Sequence, residues 1–166
     1  MRPAPDRIMP GGVRVVAAFE HSGPARALVH HLKYRGLTGF AEAAAAIIAP
    51  RLPAVPLVPV PRAVSRHLRY GVDPARLLAT ALARSLGTEV QAALAPPIHS
   101  ARRAGGDHRR QAHPFRLRRA VDGPVLLVDD VVTSGATLGS AAAAVGFDLV
   151  AGAAAASAVP EAPSLR

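Results

Sequence analysis

The chain carries 166 residues, half of them apolar, with a formal charge of +9 from 20 basic and 11 acidic side chains. That size suits one domain around one core, and a composition so rich in Ala and Val argues against disorder and for a layered α/β core with close helix–sheet contacts. The absence of cysteine excludes disulfides and thiolate zinc sites.

Residues 1–12, MRPAPDRIMPGG, read as a flexible leader and lack the apolar run of a signal peptide. VRVVAAF (13–19) reads as a first strand. Ser22-Gly23-Pro24 opens a helix that runs to Tyr34. RGLTG breaks it, and FAEAAAAIIA (40–49) forms another helix, stopped by Pro50. VPLVPV (55–60) is a short strand whose Pro56 and Pro59 lack the ladder N–H, so incomplete pairing is expected. The helical signals are clearest next. Asp73 caps, Pro74 opens, Leu77, Leu78, Leu82 and Leu86 line one side, and Gly87 closes.

EVQAAL (89–94) reads as a strand, and residues 95–120 as a long loop or hairpin of the kind that covers a binding site. VLLV (125–128) is apolar on both faces and reads as a strand deep in a sheet. A helix follows from about Gly135 to Val145, closed by Gly146, and residues 147–159 hold a last strand. Residues 159–166 are a tail. Alternating strands and helices predict a single α/β domain over 13–158, a mostly parallel twisted sheet with helices on both faces. No stretch reaches the ~18 uninterrupted apolar residues of a membrane helix. The expectation is a soluble cytoplasmic protein with no membrane insertion.

VLLVDDVVTSGATL (125–138) carries the chemistry. In an open parallel sheet, ligands gather beyond the carboxyl ends of the strands. Asp129 and Asp130 stand there if 125–128 is the strand. Thr133, Ser134, Gly135, Ala136 and Thr137 then form the turn into a helix, where amides and hydroxyls all donate and small side chains admit phosphate oxygens. Two carboxylates repel a phosphate. They suit vicinal ribose hydroxyls, or a magnesium ion shared with them. The device reads as a grip on a sugar 5-phosphate. The bland alternative is a strand end followed by a helix cap. A Walker A loop and a GxGxxG fingerprint are both absent.

VLLVDDVVTSGAT (125–137) resembles the PRPP-binding signature of type I phosphoribosyltransferases, PRPP being 5-phosphoribosyl 1-pyrophosphate. Within that superfamily, LVHHLKYRG (28–36) and LVPVPR (57–62) are similar to stretches of the ComF-type family, associated with competence for DNA uptake. The resemblance implies a type I phosphoribosyltransferase fold and transfer of 5-phosphoribose from PRPP to a nitrogenous acceptor, with release of pyrophosphate and dependence on Mg2+. It assigns Asp129 and Asp130 to the ribose hydroxyls, directly or through magnesium-bound water, and residues 133–137 to the 5-phosphate. Arg62 would face the pyrophosphate, with Lys33 a further candidate there. Arg102 and Arg103 would act from the flexible loop around 99–113 that closes over the site.

The chain departs from the family pattern in three places. It has no cysteine pairs of a zinc ribbon, reads RYGVDPA (69–75) where relatives carry an RGFNQ-like stretch, and shortens the loop to ARRAGGDHRRQAHPF.

In such a reaction positive charge develops on the ribose and negative charge on departing pyrophosphate, so the protein contributes fixed charge and exclusion of water. Exchanging both acids for Asn is expected to abolish turnover with little effect on the fold. Two other readings stand beside this one. The same fold could bind PRPP or another phosphate to regulate or scaffold, given the altered loop. Alternatively, the seven arginines and three histidines between His99 and Arg119, against Asp107 alone, suit a polyanion such as single-stranded DNA in a DNA-uptake apparatus. His30 and His31 read as helix-surface residues, His99, His108 and His113 lack metal-ligand spacing, and flat Ala-rich helices suit a homodimer.

Overall fold

The computed structural model describes residues 1–9, 11–35, 38–62, 73–96 and 115–160, the side chains of 32–35 excepted. Its main sheet contains β1 (Arg7–Ile8), β2 (Arg14–Glu20), β3 (Leu57–Pro59), β6 (Val125–Val132) and β7 (Val150–Ala158), in the order β1-β2-β7-β6-β3. β2, β7, β6 and β3 are mutually parallel, and β1 adds an antiparallel edge. Helices α1 (Gly23–Arg35), α2 (Thr38–Ile48) and α3 (Pro74–Leu86) follow the sequence expectations closely, as does α4 (Ala136–Val145). The mostly parallel sheet with helices on both faces is therefore as expected.

The helices divide unequally. Val29 of α1, Phe40, Ala44 and Ile48 of α2, and Leu78 and Leu82 of α3 pack with Val16, Leu57, Leu126, Val128 and Ala154 of the sheet. Phe19 and Phe40 stack across that layer at 5.8 Å between ring centroids. On the other face, Leu138, Ala141, Ala142 and Val145 of α4 meet Val15, Val58, Leu127 and Ala153, joined by Ala93, Leu94 and Phe115. In α3 the Asp73 side chain accepts from the Arg76 N–H at 3.3 Å, Pro74 occupies the first turn, and Gly87 closes the helix at φ 66°.

Four elements differ from the sequence reading. The leader is partly built in: Arg7–Ile8 pairs with Arg14–Val15, Pro3 bridges Phe19, and Ala4 and Met9 are buried. β6 runs four residues beyond Val128, because β7 offers ladder partners as far as Ala158. Within 89–94, Val90 alone pairs with the main sheet, through an isolated bridge to Leu57 in which the Leu57 N–H donates to Glu89 and the Gln91 N–H to Leu57. Leu94–Ala95 (β4) instead pairs antiparallel with Arg116–Leu117 (β5), so the chain leaves and re-enters this ribbon side by side. The expected loop or hairpin of 95–120 thus has a paired base, and residues 97–114 lie outside the described residues.

Pro59 has no N–H to give, yet β3 continues its contact with β6 because the Val60 N–H donates to the Val128 carbonyl at 2.8 Å. That bond carries the following residues, Pro61 and Arg62, to the sheet edge where Asp129 and Asp130 emerge.

Candidate functional site

The two acids stand inside the extended β6 rather than after it. Successive side chains of a strand point to opposite faces, so adjacency in sequence separates them in space. Asp130 is buried, and its Oδ2 accepts from Arg62 Nη2 at 3.0 Å, the two side chains being 12% and 15% exposed. Asp129 is half-buried. Its Oδ1 accepts the Asp130 backbone N–H at 2.7 Å, and it shares a shallow hollow with Thr133, Gly135 and Thr137.

The bend after β6 turns on Gly135, whose φ of 78° lies in the left-handed region, where side chains are strained. A Cβ there would also come within 2.7 Å of Met9 Sδ. The Gly139 N–H donates to the Gly135 carbonyl at 2.8 Å, and the Ala136 N–H reaches Ser134 Oγ at 3.5 Å. Among the described residues, the amides of Gly135, Thr137 and Leu138 meet no acceptor at this helix start. Thr133, Ser134, Ala136 and Thr137 are exposed. Outward amides and hydroxyls on an exposed helix N-terminus can hold an anion.

Asp73 adds a third acid. Burial pushes its carboxyl above the ordinary 3.8, opposed by the Arg76 amide and by Arg62's positive charge, while the charge on Asp130 adds to the rise. Arg62 therefore stands in the fields of two carboxylates. This bears on the expectation that exchanging both acids of β6 has little effect on the fold, because removing the charge of Asp130 strips a nearly buried guanidinium of its closest counter-charge.

Two further features escaped the sequence reading. At the ends of β2 and β7, His21 Nδ1 lies 2.8 Å from Ser157 Oγ, the His21 N–H donates to the Ala158 carbonyl, and Ser157 is fully buried. A histidine just after a predicted strand was the available signal. Arg7, from the supposed leader, binds carbonyls at the ends of β6 and β7. Nothing in its local sequence pointed there.

Of the other expected site residues, Lys33 lies on α1 with its side chain outside the described residues, and Arg102 and Arg103 lie outside them altogether. Among the described residues, no three His, Asp or Glu side chains gather as a metal site, and no helix is long and apolar enough to cross a membrane.

The chain is thus a layered α/β protein whose amide-rich bend and acid lie together at a strand's carboxyl end, where open α/β sheets bind their ligands. No protein-family model matches the chain. It is similar to the DNA utilization protein YhgH of Salmonella typhi, with 33% identity over 144 residues. The match covers 75% of this chain and 62% of that protein, so the chain spans about three fifths of its relative's length.

Proposed function

We propose that the chain is a ComF-type member of the type I phosphoribosyltransferases, transferring 5-phosphoribose from PRPP to a nitrogenous acceptor in the cytoplasm. The observation that carries this reading is the hollow that Asp129 shares with Thr133, Gly135 and Thr137. A carboxylate beside a phosphate-accepting bend suits one ligand bearing hydroxyls and a phosphate on the same sugar. The 33% identity to YhgH supports the family, and that protein's name supports a setting in DNA utilization.

In this reading the bond from ribose C1 to pyrophosphate breaks as the acceptor nitrogen bonds to C1 and gives up its proton. The bend's amides hold the 5-phosphate while Asp129 receives a ribose hydroxyl and favours the positive charge growing on the ring. Asp130 is paired with Arg62 and positions that guanidinium beside the pyrophosphate. Arg102 and Arg103 are proposed to complete the anion's surroundings. Mg2+ is a hard cation that takes one or two carboxylates and completes its shell with water and substrate oxygens. Of the two acids expected to hold it, Asp129 fits that donor set, directly or through water, whereas Asp130 faces away and is paired with Arg62; the ion would supply charge stabilisation at the leaving group.

A second reading, PRPP binding without transfer, draws support from Arg62, which is already engaged by Asp130. Calorimetry with PRPP and Mg2+ tests both readings. Binding followed by pyrophosphate release with one of a panel of bases supports the enzyme, binding without release supports the second reading, and no heat removes both.

A further inference from the structure

We infer that Arg7 is a positioning residue for the phosphate bend, a role that rests on the function proposed above. Its Nη2 donates to the Val159 carbonyl at 2.6 Å and to the Val132 carbonyl at 3.4 Å, and its Nη1 donates to the Thr133 carbonyl at 3.4 Å. One guanidinium thus spans the ends of β6 and β7. β1 holds it there, Arg7 being paired with Val15 of β2.

The consequence follows from peptide geometry. In a trans planar peptide the carbonyl and the next residue's N–H point in opposite directions. Carbonyls 132 and 133 directed at Arg7 therefore turn the Thr133 and Ser134 amides away from it. The Val132 carbonyl is also held by the Val159 N–H at 2.8 Å, so the peptide that Arg7 alone restrains is the one after Thr133; released, it could rotate and present its carbonyl oxygen to an incoming phosphate, replacing attraction by repulsion. The positive charge of Arg7 acts in the same sense, beside the bend.

Met9 reinforces this wall. It is buried, its N–H donates to the Val13 carbonyl at 2.9 Å, and its sulfur lies against the Cα side of Gly135. Arg7 to Met9 and Val132 to Gly135 enclose a cleft of about 60 Å³. Lysine cannot reproduce the arrangement, since one ammonium cannot span three carbonyls as a planar two-nitrogen fork does.

The test is a titration of nitrogen-15-labelled protein with ribose 5-phosphate, comparing wild type with Arg7→Lys and following amide shifts. In the wild type, the Thr133 and Ser134 amides should shift on saturation. In Arg7→Lys, the affinity should fall tenfold or more while the amides of Ile48 and Leu78 in the distant core keep their free-state positions. Saturation of Arg7→Lys within twofold of the wild-type concentration overturns the inference, as does a weakening accompanied by displaced core amides. If Arg7→Lys does not fold, Arg7→Gln is judged by the same criteria. A wild type that shows no shift with ribose 5-phosphate overturns the functional reading itself, and this inference with it.

Discussion

Asp129 and Asp130 are chemically identical and adjacent, yet they occupy opposite circumstances. Asp129 is half-buried, holds the next residue's amide and borders the hollow of the bend. Asp130 is buried on the other side of the strand and locked to Arg62, which also feels Asp73. In the proposed function one acid meets the ligand, whereas the other balances a cation. A pair of carboxylates in a motif thus need not act as a pair. The pleat gives each its own face, and the neighbouring elements decide what each face contains.

The contrast breaks most visibly at Asp130. Asp130→Ala leaves a nearly buried guanidinium without its closest partner, which costs about 3 kcal/mol and lowers Tm by roughly 6–12 °C for a chain of this size. The double variant Arg62→Met with Asp130→Leu removes both charges and should recover most of that loss in a melting experiment. A smaller fall is expected for Gly135→Ala, where the left-handed φ and Met9 oppose a Cβ. It should cost about 1–2 kcal/mol, readable as a lower urea midpoint.

Asp73 supplies a pH-dependent test of the same cluster. A carboxyl whose folded pKa is raised binds more protons in the folded state than in the unfolded one between the two values. Its contribution is therefore fully present below pH 3.8 and is lost as pH rises through the higher folded value. Asp73→Asn keeps the helix cap and should remove this component, leaving a flatter dependence of urea midpoint on pH just above 3.8 and equal or greater stability at neutral pH. The smallest effect on the fold is expected at Asp129. Asparagine retains the oxygen that accepts the Asp130 N–H, so Asp129→Asn should melt within about 2 °C of wild type, the range for a change that breaks no buried interaction. Its PRPP affinity should nevertheless fall at least tenfold by calorimetry. Equal losses of stability at both acids would dissolve the distinction.

Much of the architecture was legible in the sequence. Capping at Asp73, the proline at 74 and the glycine at 87 mark α3 locally, and VLLV identifies a strand covered on both faces. The length of β6 was not legible, since Asp129 and Asp130 read as a strand's exit and only a neighbouring strand could extend the ladder past them. Residues 89–94 were misjudged for a related reason: their apolar alternation suits a strand, but β3 offers them a single bridge. The N-terminal segment, poor in apolar residues, gave no local sign that Arg7 would reach two distant strand ends.

The Ala-rich segments make the division plain. FAEAAAAIIA and VAGAAAASA differ little in helix-forming content, yet the first is helical over 38–48 and the second is β7. Local sequence determined the caps, the breaks and the acid-then-bend motif, because these depend on a residue's own backbone and its nearest neighbours. Tertiary structure decided the strand state of β7, the separation of the two acids and the partnership of Arg7 with the bend. Those depend on ladder partners on both sides of a strand and on charges brought together from far along the chain, which no short stretch of sequence contains.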